Sequence, residues 1–412
     1  MKVLYLANGL PHYFNLVLSK LNSLSDMEVV VVVPKGPGRY IGEGVFQSKL
    51  GVNFRVEELE ECKLAGFIDS FRGLGRLLLR ERPDIVVFPE YLLRAFFLHP
   101  VVGLARSYIG ARLVMKSIPF LLLDYPAALA SFSAGPSDSR SNSPKWTRLV
   151  DFDRIRKRAG LALRRVLFGA VDAHVNYVDA GRALYESYGV SGKRIFVTRN
   201  SPDTDEMRRT EESLLRLDPA PVRKCWRILH VGRLVPQKRL DLLLDALPTV
   251  IGKYPDTELV VVGDGPERAS FEARAVAIGI AGAVRFVGAV YDPLELGRQF
   301  LSSSIFVLPG LGGLSINEAM FYRLAVVCSS GDGTEQFLVR EGYNGTFFRQ
   351  GDSSSLAMAI QRLLADQDEL VRMGRRSRDI IDREVNITTV VEGYMKAFQY
   401  VCGQPFEQAP PK

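Results

Sequence analysis

The chain has 412 residues, of which 47% are hydrophobic and 24% are charged, and its formal net charge is +7. This length exceeds what one hydrophobic core usually covers, so two domains of about 200 residues each are predicted, and the ordinary composition excludes disordered and fibrous proteins. The positive charge indicates an anionic partner, which could be a phosphorylated substrate, a nucleic acid or a lipid surface.

The cysteines and the apolar runs give no sign of a secreted or membrane-spanning protein. The four cysteines are far apart and form neither a metal-ligand spacing nor a disulfide framework. The N-terminal MKVLYLANGL lacks the longer apolar core and the cleavage site of a signal peptide. No apolar run reaches the roughly 18 residues that a spanning helix needs. We therefore expect a cytoplasmic protein with reduced cysteines, namely Cys62, Cys225, Cys328 and Cys402.

Short runs rich in β-branched residues alternate along the chain with stretches that can form helices. The runs are continuously apolar, which is typical of strands buried on both faces of a parallel sheet. The rhythm restarts in the second half, which predicts two doubly wound α/β domains in series. The predicted strands are KVLYLA, EVVVVVP, DIVVFPE, ARLVMKSIP, AHVNYV and RIFVTRN, then CWRILHVGR, TELVVVGDG, AVRFVGAV, SIFVLPG, LAVVCSS and GTFFRQ.

A segment rich in proline and charge separates the two series of strands. We place an N-terminal domain at residues 1–205, a linker at 206–224, a C-terminal domain at 225–384, and a closing helix with its tail at 385–412. A second polar stretch, from Ser131 to Trp146, indicates an exposed loop, which is either a plain surface insertion or a substrate-gating lid.

The segment from Asp151 to Ala170 is predicted to be a strongly basic helix. Leu161, Val166, Leu167 and Phe168 can supply its apolar side. A basic amphipathic helix can bind an anionic membrane surface, and the alternative is a solvated helix that covers the first sheet. The residues that would face the membrane are Arg154, Arg156, Lys157, Arg158, Arg164 and Arg165.

Two cations follow the first strand of the second half, in HVGRLVPQKRL. Arg233 comes directly after Gly232, and Lys238 precedes an amphipathic helix. The planar fork of an arginine and the mobile charge of a lysine together suit a diphosphate, and the carboxyl end of a parallel strand is where α/β sheets bind ligands. By spacing alone, a pair of solvated surface charges is the alternative.

The stretch VLPGLGGLSINEAM leads from an apolar strand through three glycines into a helix. Glycines let backbone amides approach an anion, and the N-terminus of the following helix adds a partial positive charge. Glu318 lies one to two turns into this helix, where it could accept hydrogen bonds from vicinal hydroxyls such as those of a ribose. A tight glycine corner followed by a solvated glutamate is the alternative.

Taken together, these motifs resemble the donor-binding domain of family 4 glycosyltransferases, which are retaining enzymes with the GT-B fold of two facing Rossmann-like domains. VGRLVPQKRLDLLLDAL is similar to the GRL-x-x-x-KG segment of the family, and GGLSINEAM to its GxxxxEAM segment. VVGDGPER, RFVGAV and EGYNGTFF also match segments of that domain. The first half matches more loosely, and ITTVVEGYMKAFQYV resembles the closing helix that crosses back to the first domain.

The resemblance implies roles for individual residues. Arg233 and Lys238 would grip the diphosphate of a nucleoside-diphosphate sugar and stabilise the charge that grows on the leaving nucleotide, without a metal. Glu318 would hydrogen-bond the ribose. The implied donor-binding residues are Gly9, Gly232, Val290, Tyr291, Gly310, Gly313, Leu314 and Glu318, with Val290 and Tyr291 beside the base.

Two positions depart from the family pattern. The first acid of the family's Glu-x7-Glu pair normally contacts the transferred sugar, and it would fall where this chain has Gly310. Many members also have a histidine after a strand of the first domain, where this chain reads LVMKSIPF, with Lys116 and Ser117. Ser117 and His12 are possible cleft residues, and His12 lies near the Gly9 loop.

The function that the resemblance implies is transfer of a sugar, with retention, from a nucleotide sugar to a glycan or a lipid-linked acceptor. Such a hexosyltransferase would act without a cofactor in bacterial cell-surface polysaccharide biosynthesis, including that of lipopolysaccharide. It would lie in the cytoplasm or peripherally on the inner face of the membrane, with no nucleic-acid partner. The alternatives are a nucleotide-sugar-binding subunit that has lost transfer and an epimerase with the same fold.

Overall fold

The computed structural model describes residues 1–36, 51–118, 122–132, 152–331 and 333–403, apart from the side chains of residues 12, 13 and 152–154. The chain divides into two compact units. The first unit comprises Met1–Arg199 and Val391–Lys412, and the second comprises Asn200–Val390. The predicted loop from Ser131 to Trp146 lies almost entirely outside the described residues.

The first unit is built on a seven-stranded parallel sheet. Its strands are β1 (Lys2–Leu6), β2 (Glu28–Pro34), β3 (Arg55–Leu59), β6 (Ile85–Pro89), β7 (Arg112–Lys116), β8 (Ala173–Asn176) and β9 (Ile195–Val197), and β4 (Glu61–Leu64) and β5 (Ile68–Phe71) form a separate antiparallel pair. The strand order is β3-β2-β1-β6-β7-β8-β9. In β2, every residue after Glu28 is buried, as a strand covered on both faces requires.

Helices connect these parallel strands. They are α1 (His12–Asn22), α2 (Leu74–Glu81), α3 (Leu93–Leu98), α4 (Pro100–Ile109), α5 (Tyr125–Ser131), α6 (Phe152–Gly169) and α7 (Ala180–Ser187). Local sequence sets their starts: Pro100 opens α4, where its missing N–H costs nothing, and the Asp124 side chain accepts a hydrogen bond from the backbone N–H of Ala127 before α5.

The second unit repeats the architecture with six parallel strands. They are β10 (Arg227–Val231), β11 (Glu258–Val262), β12 (Val284–Gly288), β13 (Ile305–Leu308), β14 (Ala325–Cys328) and β15 (Gly345–Phe347), in the order β12-β11-β10-β13-β14-β15. Alternate strand residues pack into separate apolar clusters on the two faces of the sheet: Ile228 lies in one cluster and Leu229 in the other. The prediction of a doubly wound sheet in each half is therefore confirmed.

Helices cover both faces of the second sheet. They are α8 (Thr204–Leu215), α9 (Leu240–Lys253), α10 (Arg268–Ala277), α11 (Pro293–Leu301), α12 (Leu314–Phe321), α13 (Thr334–Leu338), α14 (Ser353–Leu364) and α15 (Gln367–Glu384), and the chain then continues into α16 (Ile387–Cys402). From Val391 onward, α16 belongs to the first unit. Among the helices in the described ranges, none combines the length and the hydrophobicity needed to cross a bilayer.

The linker predicted at residues 206–224 is corrected by the structure. The division falls between Arg199 and Asn200, and α8 covers most of the expected linker and packs against α11. The high charge of this segment suggested a solvated linker, but Leu214 is fully buried and Glu211 is almost fully buried. A helix that buries one narrow stripe beneath many charged residues is easily taken for a linker.

Glu211 connects α8 to the C-terminal end of α12. Its carboxylate pairs with Arg323 and, at 2.8 Å, with Arg378. Arg378 also donates to the carbonyl of Phe321, and Arg223 donates to the two carbonyls that follow it. These arginines satisfy the carbonyl groups that the end of a helix leaves without intrahelical partners. The cluster therefore anchors α12, whose other end follows the glycine-rich loop.

We expect Glu211→Gln to lower the free energy of unfolding by about 2 kcal/mol, because it removes the buried carboxylate that Arg323 and Arg378 share, and of these two only Arg378 keeps another carboxylate partner, Asp382. Urea denaturation measures this change. Glu212→Gln is the matched control, since Glu212 is exposed on the same helix and should change stability by only a few tenths of a kcal/mol. Equal stability of the two variants would show that the cluster does not anchor the helix.

Candidate functional site

Three turns meet at one edge of the second sheet. They follow β10 at residues 232–238, β11 at 263–267 and β13 at 309–313. Because β11, β10 and β13 are hydrogen-bonded neighbours in parallel orientation, their carboxyl ends lie side by side. This edge is the usual ligand site of doubly wound sheets.

Lys238 ties the first turn to the glycine-rich loop. Its ammonium group donates to the backbone carbonyls of Leu311 and Gly312, at 2.8 Å each. The backbone N–H of Leu311 returns a hydrogen bond to the carbonyl of Gln237 at 2.9 Å. These bonds keep the positive charge of Lys238 next to the glycine-rich loop. An anion that binds at the loop would therefore be attracted by this charge.

Glycines of the second turn allow the backbone that carries Arg233 to approach closely. A Cβ at position 263 would lie 1.9 Å from the carbonyl oxygen of Gly232, and one at 265 would lie 2.4 Å from that of Leu234. Gly263 also has φ +140°, a conformation that favours glycine. The Gly-Asp-Gly turn, a weak signal in the sequence, therefore packs against the backbone on both sides of the exposed Arg233.

Gly310 is enclosed by the backbone of the first turn. A Cβ at this position would lie 2.1 Å from the carbonyl oxygen of Gln237 and 2.6 Å from the carbonyl carbon of Lys238. Contacts that short are sterically forbidden, so any side chain would force the two segments apart. The glycine found where the family pattern has an acid is thus required by the packing of this loop.

Glu318 is the fifth residue of α12, and this helix begins directly after Gly313. Its side chain is half-buried, and within the part of the chain that the structure describes its carboxylate has no hydrogen bond and no ion pair. Burial raises the pKa of Glu318 to about 7. A desolvated carboxylate without a partner is suited to accept hydrogen bonds from a ligand.

Two polar residues that the sequence predictions missed follow β14: one is bonded to the glycine-rich loop, and the other to the neighbouring turn. The hydroxyl of Ser329, after β14, donates to the carbonyl of Pro309 at 2.7 Å. Glu335 is fully buried and accepts from the backbone N–H of Gly333 at 3.2 Å. A Cβ at Gly331 would approach the Cα of Leu311 to 3.2 Å. The sequence signal that could have identified these two residues is CSSGDGTE, where another strand ends and glycines follow.

The residues proposed to lie beside a base follow β12. Val290 is half-buried and packs against the core, whereas the side chain of Tyr291 is 80% exposed. His230 is buried on β10, with Nδ1 3.0 Å from the carbonyl oxygen of Val307, and burial lowers its pKa to about 4. It is therefore neutral at pH 7. The base contact of Val290 and Tyr291 stays a prediction.

The first-unit candidates lie at the carboxyl edge of its own sheet. Gly9 is buried after β1, and Ser117 is buried after β7, where its N–H donates to the carbonyl of Val175. Lys116 places its ammonium nitrogen 3.3 Å from the ring centroid of Phe14, and burial lowers its pKa to about 7. The side chain of His12 lies outside the described residues. Whether these residues take part in donor binding stays a prediction.

The basic residues of α6 do not act as one solvated group. The Nε atom of Arg164 lies 3.6 Å from a carboxylate oxygen of Glu90, and the guanidinium group of Arg165 lies over the ring of Tyr125. Leu161, Leu167 and Phe168 are buried as expected, but Val166 is largely exposed, which corrects its assignment to the packed side. The remaining cations, Arg156, Lys157 and Arg158, are exposed, and the side chain of Arg154 lies outside the described residues.

Comparison with known proteins agrees with this geometry. Residues 218–380, which include all three turns, match the family described as glycosyl transferases group 1. All of the matched residues lie within the second unit.

Curated relatives of the chain are similar over part of its length. The lipopolysaccharide core biosynthesis glycosyltransferase LpsE of Rhizobium meliloti is 28% identical over 174 residues, 41% of this chain and 48% of that protein. The phosphatidyl-myo-inositol mannosyltransferase of Mycolicibacterium smegmatis is 33% identical over 181 residues, 43% of this chain and 45% of that protein. The matches therefore span about half the length of these relatives.

A solved structure matches over nearly the whole chain. HepE of Anabaena, determined in complex with UDP, superposes with a TM-score of 0.66 at 18% identity and covers 97% of this chain and 100% of that chain. At this identity the similarity establishes the fold alone. The predicted GT-B fold class, with a Rossmann-like sheet in each half, is confirmed.

Because Gly310 is enclosed, we expect Gly310→Ala to destabilise the second unit by about 1–3 kcal/mol and to weaken nucleotide binding by displacing the loop. Urea denaturation and nucleotide titration measure the two effects. Gly252→Ala is the control, since nothing lies within 4 Å of a Cβ added there, on α9. The control should be neutral or stabilising by up to about 1 kcal/mol. Unchanged stability of Gly310→Ala would contradict the steric argument.

The raised pKa of Glu318 predicts a specific pH dependence of stability. The carboxyl binds its proton more tightly in the folded protein, so its stabilising contribution is complete below about pH 4.5 and is lost as the pH rises to about 7. Glu318→Gln should therefore gain stability relative to the wild type over this interval. Denaturant unfolding at several pH values tests this, with the exposed Glu212→Gln as control. If the difference in stability between Glu318→Gln and the wild type did not change with pH, the pKa of Glu318 would not be raised in the folded protein.

Proposed function

We propose that the protein transfers a sugar from a nucleoside-diphosphate sugar to a glycan or lipid-linked acceptor, with retention at the anomeric carbon and without a metal. The observation that carries the proposal is the lysine-held loop: Lys238 and the nearby Arg233 concentrate positive charge where three strand ends meet, directly before the helix that bears Glu318. The match of residues 218–380 to glycosyl transferases group 1 and the GT-B fold support a glycosyltransferase activity.

The diphosphate is the part of the donor that these residues suit best. In our proposal, the guanidinium of Arg233 and the ammonium of Lys238 contact its oxygens, and the amides of Gly313 and Leu314 meet the phosphates or the sugar. As the bond between sugar and nucleotide breaks, negative charge accumulates on the leaving phosphate. Cations already in position stabilise that charge more than they stabilise the bound donor, which lowers the barrier.

Glu318 would orient the nucleotide. Its carboxylate has no partner among the described residues and can accept hydrogen bonds from both ribose hydroxyls. The acceptor hydroxyl would then attack from the face that the nucleotide leaves. This front-face displacement needs no carboxylate nucleophile, so the absence of an acid at position 310 does not prevent it. Gly310 would alter the recognition of the sugar rather than the departure of the nucleotide.

The acceptor is proposed from the names of the relatives. One is named for lipopolysaccharide core biosynthesis and another for phosphatidyl-myo-inositol. Both names point to acceptors carried by lipids, and the net charge of +7 suits such an anionic surface. We therefore propose cell-surface glycan or glycolipid synthesis at the inner face of a membrane.

A nucleotide-sugar-binding subunit without transfer activity is the second candidate. It is motivated by Gly310 and by Lys116 in place of the family's histidine. The ammonium group of Lys116 is buried within the first unit, and Gly310 is enclosed by the backbone of the second. Because both residues fit their surroundings, an altered but active site is favoured over one that has lost its activity. The two candidates differ in turnover: a transferase hydrolyses its donor slowly in the absence of acceptor, whereas a binding subunit does not.

We expect Lys238→Met and Arg233→Ala each to reduce slow donor hydrolysis by about 100-fold, because each removes a charge that stabilises the leaving diphosphate. The substrate is first chosen from a panel of uridine and guanosine diphosphate sugars by thermal shift, because binding to the folded state raises its stability. Release of nucleoside diphosphate is then measured for the wild type and both variants.

Arg298→Ala, at an exposed position of α11, is the control and should hydrolyse the donor at the wild-type rate. Hydrolysis by Lys238→Met and Arg233→Ala within a few-fold of the wild type would remove these residues from the proposed mechanism. Donor binding by the wild type without any hydrolysis would favour the binding subunit instead.

A further inference from the structure

Two helices of the first unit carry an apolar surface that the proposed donor site does not use. On α4, Val101, Leu104 and Tyr108 follow each other at helical spacing and share one face. Leu104 is 72% exposed and Tyr108 is 74% exposed. Soluble proteins rarely expose a row of large apolar side chains without a partner for it.

The neighbouring helix α2 extends this surface. A Cβ at Gly75 would lie 2.7 Å from a methyl carbon of Val101, and the guanidinium of Arg82, just after α2, lies over the ring of Tyr108. The two helices therefore run side by side in the same direction. Leu79 is exposed one turn after Gly75, between these two contacts. We call Leu79, Val101, Leu104 and Tyr108 the α2–α4 surface.

Two arginines of α2 and its C-terminal end, Arg76 and Arg82, border the α2–α4 surface. Neither has a carboxylate partner within the described part of the chain, and the one nearby acid is neutralised by ion pairs. The one acid in α2 and α4 is Glu81, which is buried beneath Lys2, Arg55 and Arg80. The solvent therefore meets an apolar centre with a positively charged rim.

We propose that the α2–α4 surface docks the protein onto an anionic lipid bilayer. Leucine and valine would enter the boundary between head groups and acyl chains, and the tyrosine ring would lie at the head-group level, as aromatic residues do at membrane interfaces. The arginines would pair with lipid phosphates while their methylene groups cover the apolar centre.

Charge argues against a second copy of the chain as the occupant. A twofold interface would bring the same arginine rim of both copies together, and like charges there oppose association. An acidic bilayer supplies the complementary charge over the whole surface. The link between docking and a lipid-linked acceptor rests on the function proposed above, but the docking itself needs no sugar transfer.

The test is co-sedimentation of the full chain with vesicles of phosphatidylcholine, with or without phosphatidylglycerol. The wild type should bind the vesicles that contain phosphatidylglycerol, and more weakly at high salt. Leu104→Gln with Tyr108→Gln should lower the partition coefficient about tenfold, because both side chains would leave the apolar boundary. Arg76→Gln with Arg82→Gln should lower it about tenfold on the anionic vesicles only.

Matched controls come from exposed positions of the second unit. Val222→Gln with Val276→Gln replaces two exposed apolar residues, and Arg216→Gln with Arg375→Gln replaces two exposed arginines. Both control pairs should bind vesicles as the wild type does. Neutralising Arg156, Lys157 and Arg158 together tests α6, the surface expected from the sequence, and should have a smaller effect than the α2–α4 changes.

Several results would overturn the proposal. They are a wild type that binds no anionic vesicles, a Leu104/Tyr108 variant that binds as well as the wild type, and loss of binding with the α6 variant alone. Sedimentation velocity detects a further one, a dimer that the Leu104/Tyr108 changes abolish. Donor hydrolysis should be equal in all these variants, so failure of docking is distinguishable from failure of the proposed activity.

Discussion

The candidate site depends on one close approach between two backbone segments. The turn that ends at Lys238 and the loop from Pro309 to Gly313 touch so closely that position 310 has no room for a Cβ, and the lysine ammonium holds the loop by two carbonyls. The approach brings a positive charge, a flexible loop and the start of α12 to one point. The surrounding structure maintains this contact: Ser329 holds the loop from one side, and Glu211 anchors the far end of α12.

Much of the fold could be predicted because buried parallel strands have an unmistakable pattern. Continuous runs of β-branched residues such as EVVVVVP and TELVVV are typical of a sheet covered on both faces, and each contains a strand of the structure. The prediction of a linker in the region of α8 failed for the opposite reason. Its charged residues dominate the composition, while Glu211 is buried beneath Arg323 and Leu214 is buried beside Gly297 of α11, and no local pattern reveals such distant partners.

The candidate site was predictable in its residue types but not in its contacts. Arg233, Lys238 and Glu318 were identified from their places after strands and on a helix. Gly310 looked like the loss of a functional acid, and only the position of Gln237 shows that a side chain cannot be accommodated there. The supporting roles of Ser329 and Glu335 also depend on strands that are neighbours in space and not in sequence, so single-sequence reasoning passed over them.

We propose that the turns after β10 and β13 bind a nucleoside diphosphate. Hydrogen exchange of backbone amides can locate the bound nucleotide, with whichever of uridine or guanosine diphosphate raises the midpoint of thermal unfolding. We expect slower exchange at residues 232–238 and 310–318 on addition of the nucleotide, and no such change in Lys238→Met at the same concentration. Bound nucleotide that leaves both segments unprotected, or that protects only the first unit, would contradict it.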